Sequence, residues 1–240
     1  MNIFVTGTDT GVGKTIITAG LAAVLQSLGY TVGVYKPIQA GCSSGNKGAI
    51  YSEDLEFVVN VDANIFTKCS YLLKTPAAPL VSAPIDNMVV DLNVIVRDYK
   101  TLADQCDFVI VEGAGGISVP LNPGYTIKDL IKILNLPALI VARPHLGTIN
   151  HSILTVEYAR RYDIDITGII ISGYPRGTTC PAIKSAPQVI ANFTKSEILG
   201  VIPYIKDISV DKPQAELLIE AILTNVNLEK VFRIEFPRLS

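Results

Sequence analysis

Six short runs of aliphatic and β-branched residues, separated by helix-length segments, limit what this chain can fold into. The runs are Ile3–Thr6, Thr31–Tyr35, Phe108–Val111, Ala138–Val141, Thr167–Ile171 and Glu197–Ile202. They lack the polar alternation of half-exposed strands, so they read as strands buried on both faces. Amphipathic segments at about Lys14–Leu28, Asp91–Gln105, Ile127–Leu134, Ile149–Tyr162, Ala182–Phe193 and Gln214–Leu223 read as helices. Asp91 and Thr126 or Thr148 are expected N-caps, and Gly29 an expected glycine just past a helix end. Strand–helix alternation implies right-handed βαβ units, hence an α/β fold with a mostly parallel sheet flanked by helices. One domain over residues 1–240 is expected. The stretch Cys42–Val90, with Pro76, Pro79 and Pro84, breaks the rhythm and is expected to be an irregular excursion that builds a substrate site. The tail after about residue 210 carries no assignment beyond its one helix.

Composition narrows the class. With 240 residues, 49% of them hydrophobic and only 18% charged, the chain can bury a substantial core. Its mean hydropathy of +0.39 raises the question of a membrane. No apolar run approaches the roughly 20 residues a spanning helix needs, and Met1–Gly7 lacks the basic start of a signal peptide. Lys+Arg 20 against Asp+Glu 22 gives a formal charge of −2 with no basic run. That argues against a nucleic-acid partner. Cys42, Cys69, Cys106 and Cys180 are scattered, which suits reduced, mostly buried thiols in a cytoplasmic protein better than a disulfide framework or a zinc site.

In open parallel sheets ligands gather at the carboxyl ends of the strands. After the first run comes Gly7-Thr8-Asp9-Thr10-Gly11-Val12-Gly13-Lys14-Thr15, leading into a helix. Such a loop turns successive N–H groups toward one anion. Lys14 would reach terminal phosphates, and the Thr15 hydroxyl could ligate Mg²⁺. The usual spacing puts glycine where this chain has Thr8, so the loop is a variant with Gly7 one residue early. After the second run, Lys36-Pro37 points a cation toward the same end of the sheet. After the third, Glu112-Gly113-Ala114-Gly115-Gly116 places a carboxylate where nucleotide-hydrolysing enzymes hold magnesium, usually with Asp. Asp54, in the excursion, is a further possible oxygen ligand. No nearby Ser or Cys completes a nucleophile arrangement with His145 or His151, and both read as structural.

Taken together, Gly7–Thr15, Tyr35-Lys36-Pro37, Val111–Gly116 and Leu146-Gly-Thr-Ile-Asn-His151 resemble the dethiobiotin synthase family, in order and over most of the chain up to about Tyr204. The early glycine of that family accounts for the misfit at Thr8. The resemblance implies a homodimeric P-loop fold that uses ATP, Mg²⁺ and CO₂ to close a cyclic urea on 7,8-diaminononanoate. It implies catalytic roles for Lys14, Lys36 and Thr10, and magnesium held by Thr15, Asp54 and Glu112. It places Asp9, Thr10, Gly11, Val12, Gly13, Lys14, Thr15, Ser172, Pro203 and Tyr204 at the nucleotide. Thr10, Lys36, Ala40, Gly115 and, from the neighbouring subunit, Gly147, Thr148 and Asn150 would contact the substrate. Two positions depart from the pattern: Ala40 stands where many relatives carry Ser or Thr, and Ser172 where relatives selective for adenine often carry Asn.

Three rivals share the phosphate loop. A partitioning or positioning ATPase would carry a signature lysine where this chain has Asp9. An amide-forming synthase would need a glutaminase domain for which 240 residues leave no space. A non-enzymatic nucleotide-binding module would have no use for Lys36 and the Glu112 loop.

Overall fold

The computed structural model describes residues 1–44 and 49–236. Among these the elements run β1 (Ile3–Gly7), α1 (Lys14–Ser27), β2 (Val32–Ala40), β3 (Ser43–Ser44), β4 (Ile50–Tyr51), α2 (Glu53–Val61) and β5 (Phe66–Leu73). There follow α3 (Pro79–Ile85), α4 (Leu92–Ala103), β6 (Phe108–Gly116), β7 (Pro120–Asn122), β8 (Tyr125–Thr126), α5 (Ile127–Leu134) and β9 (Ala138–Ala142). The chain continues through α6 (Thr148–Arg161), β10 (Ile166–Tyr174), α7 (Pro181–Thr194), β11 (Ile198–Pro203), α8 (Ala215–Asn225) and α9 (Leu228–Phe232).

Seven strands form one parallel sheet in the order β11-β10-β9-β1-β6-β2-β5. Alternate side chains of each strand enter opposite layers. Ile3 and Val5 pack with α1, α2, α8 and α9, whereas Phe4 packs on the other face with α4 and α5. The second face continues under α6 and α7, where Ile140, Ile169 and Ile171 meet Val156, Ala186 and Ile190. Each such side chain, fully removed from water, contributes about 1.5–3 kcal/mol.

The helix ends follow local chemistry. Asp91 caps α4 by accepting from the Asn93 N–H at 2.8 Å, and Asp129 accepts from the Thr126 N–H at 2.8 Å to open α5. At the end of α1, Gly29 takes φ +91°. Its N–H donates to Gln26 O, and the Tyr30 N–H reaches Leu25 O, closing both orphan carbonyls. Thr148 is not an N-cap. Gly147, at φ +94°, holds that position, and Thr148 is the first residue of α6.

The excursion is the main correction. Cys42–Val90, apart from residues 45–48, which lie outside the described set, is largely regular: it supplies α2, β5 and α3. β5 is the outer strand of the sheet, and its sequence, Phe-Thr-Lys-Cys-Ser-Tyr-Leu-Leu, is half polar because an edge strand keeps partly exposed positions. A search for runs buried on both faces passes over it. The tail also has structure as far as Phe236, with 237–240 outside the described residues. α8 lies against α1, where a Cβ on Gly20 would sit 2.7 Å from Ile222 Cγ1. α9 and the residues after it close over the amino ends of the strands: Phe232 and Phe236 meet Phe108 and Tyr30 edge-on, and Arg233 pairs with Asp165. No helix among the described residues is long and apolar enough to cross a membrane.

Candidate active site

A cleft of about 720 Å³ opens at the carboxyl ends of β1, β2 and β6. Its origin lies in the pairing of β2, which runs beside β6 only from Val32 to Tyr35. From Lys36 onward it pairs with β5 alone, and Pro37, with no N–H to give, has no partner in that ladder. β6 departs at the same level. It stays in step with β1 up to Glu112 opposite Val5, then bulges through Gly113-Ala114-Gly115 before Gly116 meets Gly7. Lys36 and Glu112 therefore stand where two neighbouring strands part.

The Lys36 ammonium donates to Glu112 Oε1 at 2.7 Å and lies 2.5 Å from Asp54 Oδ2. The Thr15 hydroxyl donates to the same Glu112 oxygen at 2.9 Å. Lys36 and Glu112 are 3% and 1% exposed, so the pair is dry. Burial alone would lower the Lys36 pKa, but the Glu112 and Asp54 charges and hydrogen bonds outweigh it, and the pKa is raised. Burial would raise the pKa of Asp54; the Lys36 charge and bonds from Lys36 and Thr15 override that and hold it below the usual carboxylate value. One cation against two anions leaves this cluster with a negative excess.

Facing it is the phosphate loop. Gly11 at φ +70° and Gly13 at φ +96° give the curl into α1. A Cβ on Gly13 would also collide with Ser172 Oγ. Lys14 bends back to donate to Asp9 O at 3.1 Å. Burial, reinforced by the nearby Lys36 charge, lowers its pKa to about 8, against the pull of Glu112, Asp54 and Asp9. The Asp9 carboxylate accepts from the Thr10 N–H at 2.8 Å and lies 3.7 Å from the Arg143 guanidinium at the end of β9.

Of the residues expected from sequence, Thr10, Gly11, Gly13, Lys14, Thr15, Lys36, Ala40, Asp54, Glu112 and Gly115 line this one cleft. The others do not line it. Ser172 is buried behind the loop against Gly13, and Tyr204 is exposed beside a separate hollow of about 290 Å³ with Arg176. The Thr148 N–H is already taken by His145 O and its side chain is 2% exposed, whereas Asn150 is exposed. The excursion supplies one wall of the cleft, and two further residues were not assigned to the site from sequence. Pro76–Pro79 forms an apolar wall of the cleft, Gln39 lines it, and Arg143 approaches Asp9. The prolines lie in the stretch expected to build a substrate site, and Gln39 and Arg143 follow the apolar runs of β2 and β9, the strand-end positions where ligands gather.

Comparison with known proteins sets this geometry in a family. A family described as an AAA domain matches residues 1–212. The ATP-dependent dethiobiotin synthetase of Bacillus licheniformis is 42% identical over 211 residues, covering 86% of this chain and 87% of that protein. The enzyme of the same name from Methanococcus vannielii is 38% identical, covering 90% of this chain and 99% of its own length. The chain belongs to the dethiobiotin synthetase family. Among solved structures, a chain of the MinC:MinD cell division complex of Aquifex aeolicus superposes with a TM-score of 0.60 at 17% identity, covering 100% and 99% of the two chains. A ParA family ATPase from Chlorobium tepidum gives 0.55 at 14% identity, covering 97% of this chain and 93% of that one. Those likenesses show the P-loop fold alone; membership of the synthetase family rests on the sequence relatives.

Proposed function

We propose that this member of the dethiobiotin synthetase family closes the cyclic urea on 7,8-diaminononanoate, using CO₂ and ATP with Mg²⁺. The supporting observation is the single cleft in which Lys36, between Asp54 and Glu112, faces Lys14 and the N–H-rich loop. CO₂ adds to one amine of the substrate to give a carbamate. The γ-phosphoryl group passes to a carbamate oxygen as ADP leaves, the second amine attacks the mixed anhydride, phosphate leaves, and each amine nitrogen gives up one proton along the way. Both the carbamate and the phosphates are anions, so the residues that matter are cations and N–H donors held in place beforehand. Lys14 and the amides of residues 10–15 bind the phosphates. Lys36, kept protonated by its carboxylate neighbours, orients the carbamate. Thr10, which lines the same cleft, contacts both substrate and phosphate.

The donor set suits a small hard cation: two carboxylates and a hydroxyl, all oxygen, with a negative excess. Thr15, Asp54 and Glu112 would hold it, and it would neutralise charge on the phosphate oxygens. We assign the far carboxylate of the substrate to the first turn of α6 in a second copy of the chain. That turn carries an exposed Asn150, and Leu146 and Leu154 beside it are 86% and 60% exposed, as a surface covered by a twin subunit would require.

The test is phosphate release as a function of diaminononanoate and bicarbonate. Release that needs both, with cyclic urea as product, is the expected outcome. Hydrolysis of ATP without either would instead indicate a nucleotide switch and defeat the proposal.

A further inference from the structure

Two contacts join the end of β2 to the start of α2, and a third joins β3 to the same turn. Lys36 reaches Asp54 at 2.5 Å, the Ser52 hydroxyl donates to Gln39 Oε1 at 3.0 Å, and Ser43 bonds Glu53. Between the two elements the chain leaves the sheet, and β3 pairs antiparallel with β4. Asp54 therefore sits on a helix tied to β2 through this excursion and through these bonds. The middle bond is the one at the helix cap. Ser52 is 6% exposed, and its oxygen also accepts from the Leu55 N–H at 3.2 Å, capping α2 two residues before Asp54.

We propose that Gln39 and Ser52 form a positioning clamp that registers Asp54 against Lys36, and thereby sets the affinity of the Thr15–Asp54–Glu112 oxygens for the divalent cation. The inference rests on the metal assignment above. The cap alone would make α2 start correctly, and it needs only the Ser52 oxygen as acceptor. The Ser52 hydrogen is spent on Gln39, a side chain of the same strand as Lys36, so the same hydroxyl that starts the helix also fixes its distance from the strand. Removing the acceptor leaves the cap in place and frees the first turn to shift along β2. Asp54 then keeps its contacts with Lys36 and Thr15 but loses the register that the Gln39 bond supplied. Outer partners of metal-holding carboxylates typically govern affinity by roughly 10–100-fold.

The decisive variant is Gln39→Met, which keeps size and the Ser52 cap. Mn²⁺ is titrated against the protein with a non-hydrolysable ATP analogue, and free Mn²⁺ is followed by electron paramagnetic resonance. Melting is measured without metal or nucleotide. The clamp predicts a melting temperature close to the parent and a half-saturating Mn²⁺ concentration raised roughly 10-fold or more. If Gln39→Met does not fold, Ser52→Ala is compared with Ser52→Thr; the alanine should raise the metal requirement and the threonine, which keeps donor and acceptor, should not. A folded Gln39→Met or Ser52→Ala with the parental Mn²⁺ requirement would overturn the proposal, whatever its stability. The titration uses no diaminononanoate. A protein that made no cyclic urea but showed the shift would keep the clamp and lose the reaction, and a parent without nucleotide-dependent Mn²⁺ binding would lose both.

Discussion

Lys36 and Glu112 meet at 2.7 Å with neither side chain more than 4% exposed. Replacing Lys36 by Met therefore does more than delete a catalytic cation: it leaves Glu112 buried without a counter-charge, with only the Thr15 hydroxyl as partner, and Asp54 without its nearest one. Breaking a buried pair from one side costs about 3–5 kcal/mol. Lys36→Met should be destabilised by about that much in urea denaturation, should recover part of it in millimolar Mg²⁺, and should lose roughly 10²–10³ in turnover. Parental stability together with parental turnover would refute the assignment.

Lys14 titrates near 8 because burial and Lys36 disfavour its charge. A triphosphate favours the ammonium form, so binding at pH 9 should take up about one proton, and affinity should weaken as pH rises through about 8. Calorimetry in buffers of different ionisation enthalpy measures that proton. In the free protein the sign reverses. Between about 8 and the ordinary 10.5 the unfolded chain binds the proton and the native one does not, so this residue's contribution to stability rises with pH across that window. Lys14→Met should abolish the proton uptake.

Ser172 packs its hydroxyl against Gly13 and is 6% exposed, a poor position from which to read a base edge. Discrimination between ATP and other nucleoside triphosphates should be about tenfold or less, the worth of one neutral hydrogen bond at about 0.5–1.5 kcal/mol. Competition binding checks this. A thousandfold preference for ATP would assign base recognition to the backbone near Pro203 and Tyr204.

Gly20 lets α8 approach α1 to near contact, since a Cβ there would lie 2.7 Å from Ile222 Cγ1 and 3.1 Å from Leu218 Cδ1. Alanine should gain about 1 kcal/mol of helix propensity and lose about 1–3 kcal/mol to overpacking. The prediction is net destabilisation in Gly20→Ala that shrinks or reverses when Ile222→Ala is added. A double-mutant cycle by chemical denaturation reads the coupling, and strict additivity would refute it.

The shared-site proposal predicts that two inactive proteins can complement. The buried Thr148 is a poor place for a blocking side chain, because a large residue there would disrupt the start of α6. Asn150 is exposed and suits the purpose. Lys14→Ala mixed with Asn150→Trp should regain activity in verified heterodimers, where one of the two sites has both intact halves. No recovery, or a fully active monomer, would defeat the claim.

Most of the sheet was legible because six of its seven strands are continuous apolar runs, and the glycine and lysine signals of the phosphate loop are local. β5 was not, because an edge strand mixes polar with apolar residues. The cluster was legible as residue types and not as geometry. Lys36 and Glu112 each follow a visible strand, and a parallel sheet brings such positions to one edge. The meeting of Asp54 with Lys36 depends on α2, which lies inside a stretch that reads as loop. Ser52 and Gln39 carry no motif, and their role exists only through a bond between positions thirteen apart. Thr148 shows the opposite failure: a good capping residue lost its place to Gly147, whose left-handed φ let the turn begin one residue earlier.

The closure of Phe232, Arg233 and Phe236 over the amino ends of the strands has a practical meaning for anyone handling the protein. The cleft opens at the other pole of the sheet. A reporter, resin or surface anchored through residues 233–236 leaves the mouth of the cleft pointing into free solution, with the full length of the strands between attachment and chemistry. The same closure makes that anchor a sensor of folding. A dye on Glu235 would report the opening of the Tyr30–Phe108–Phe232–Phe236 aromatic group without touching a group that binds a phosphate.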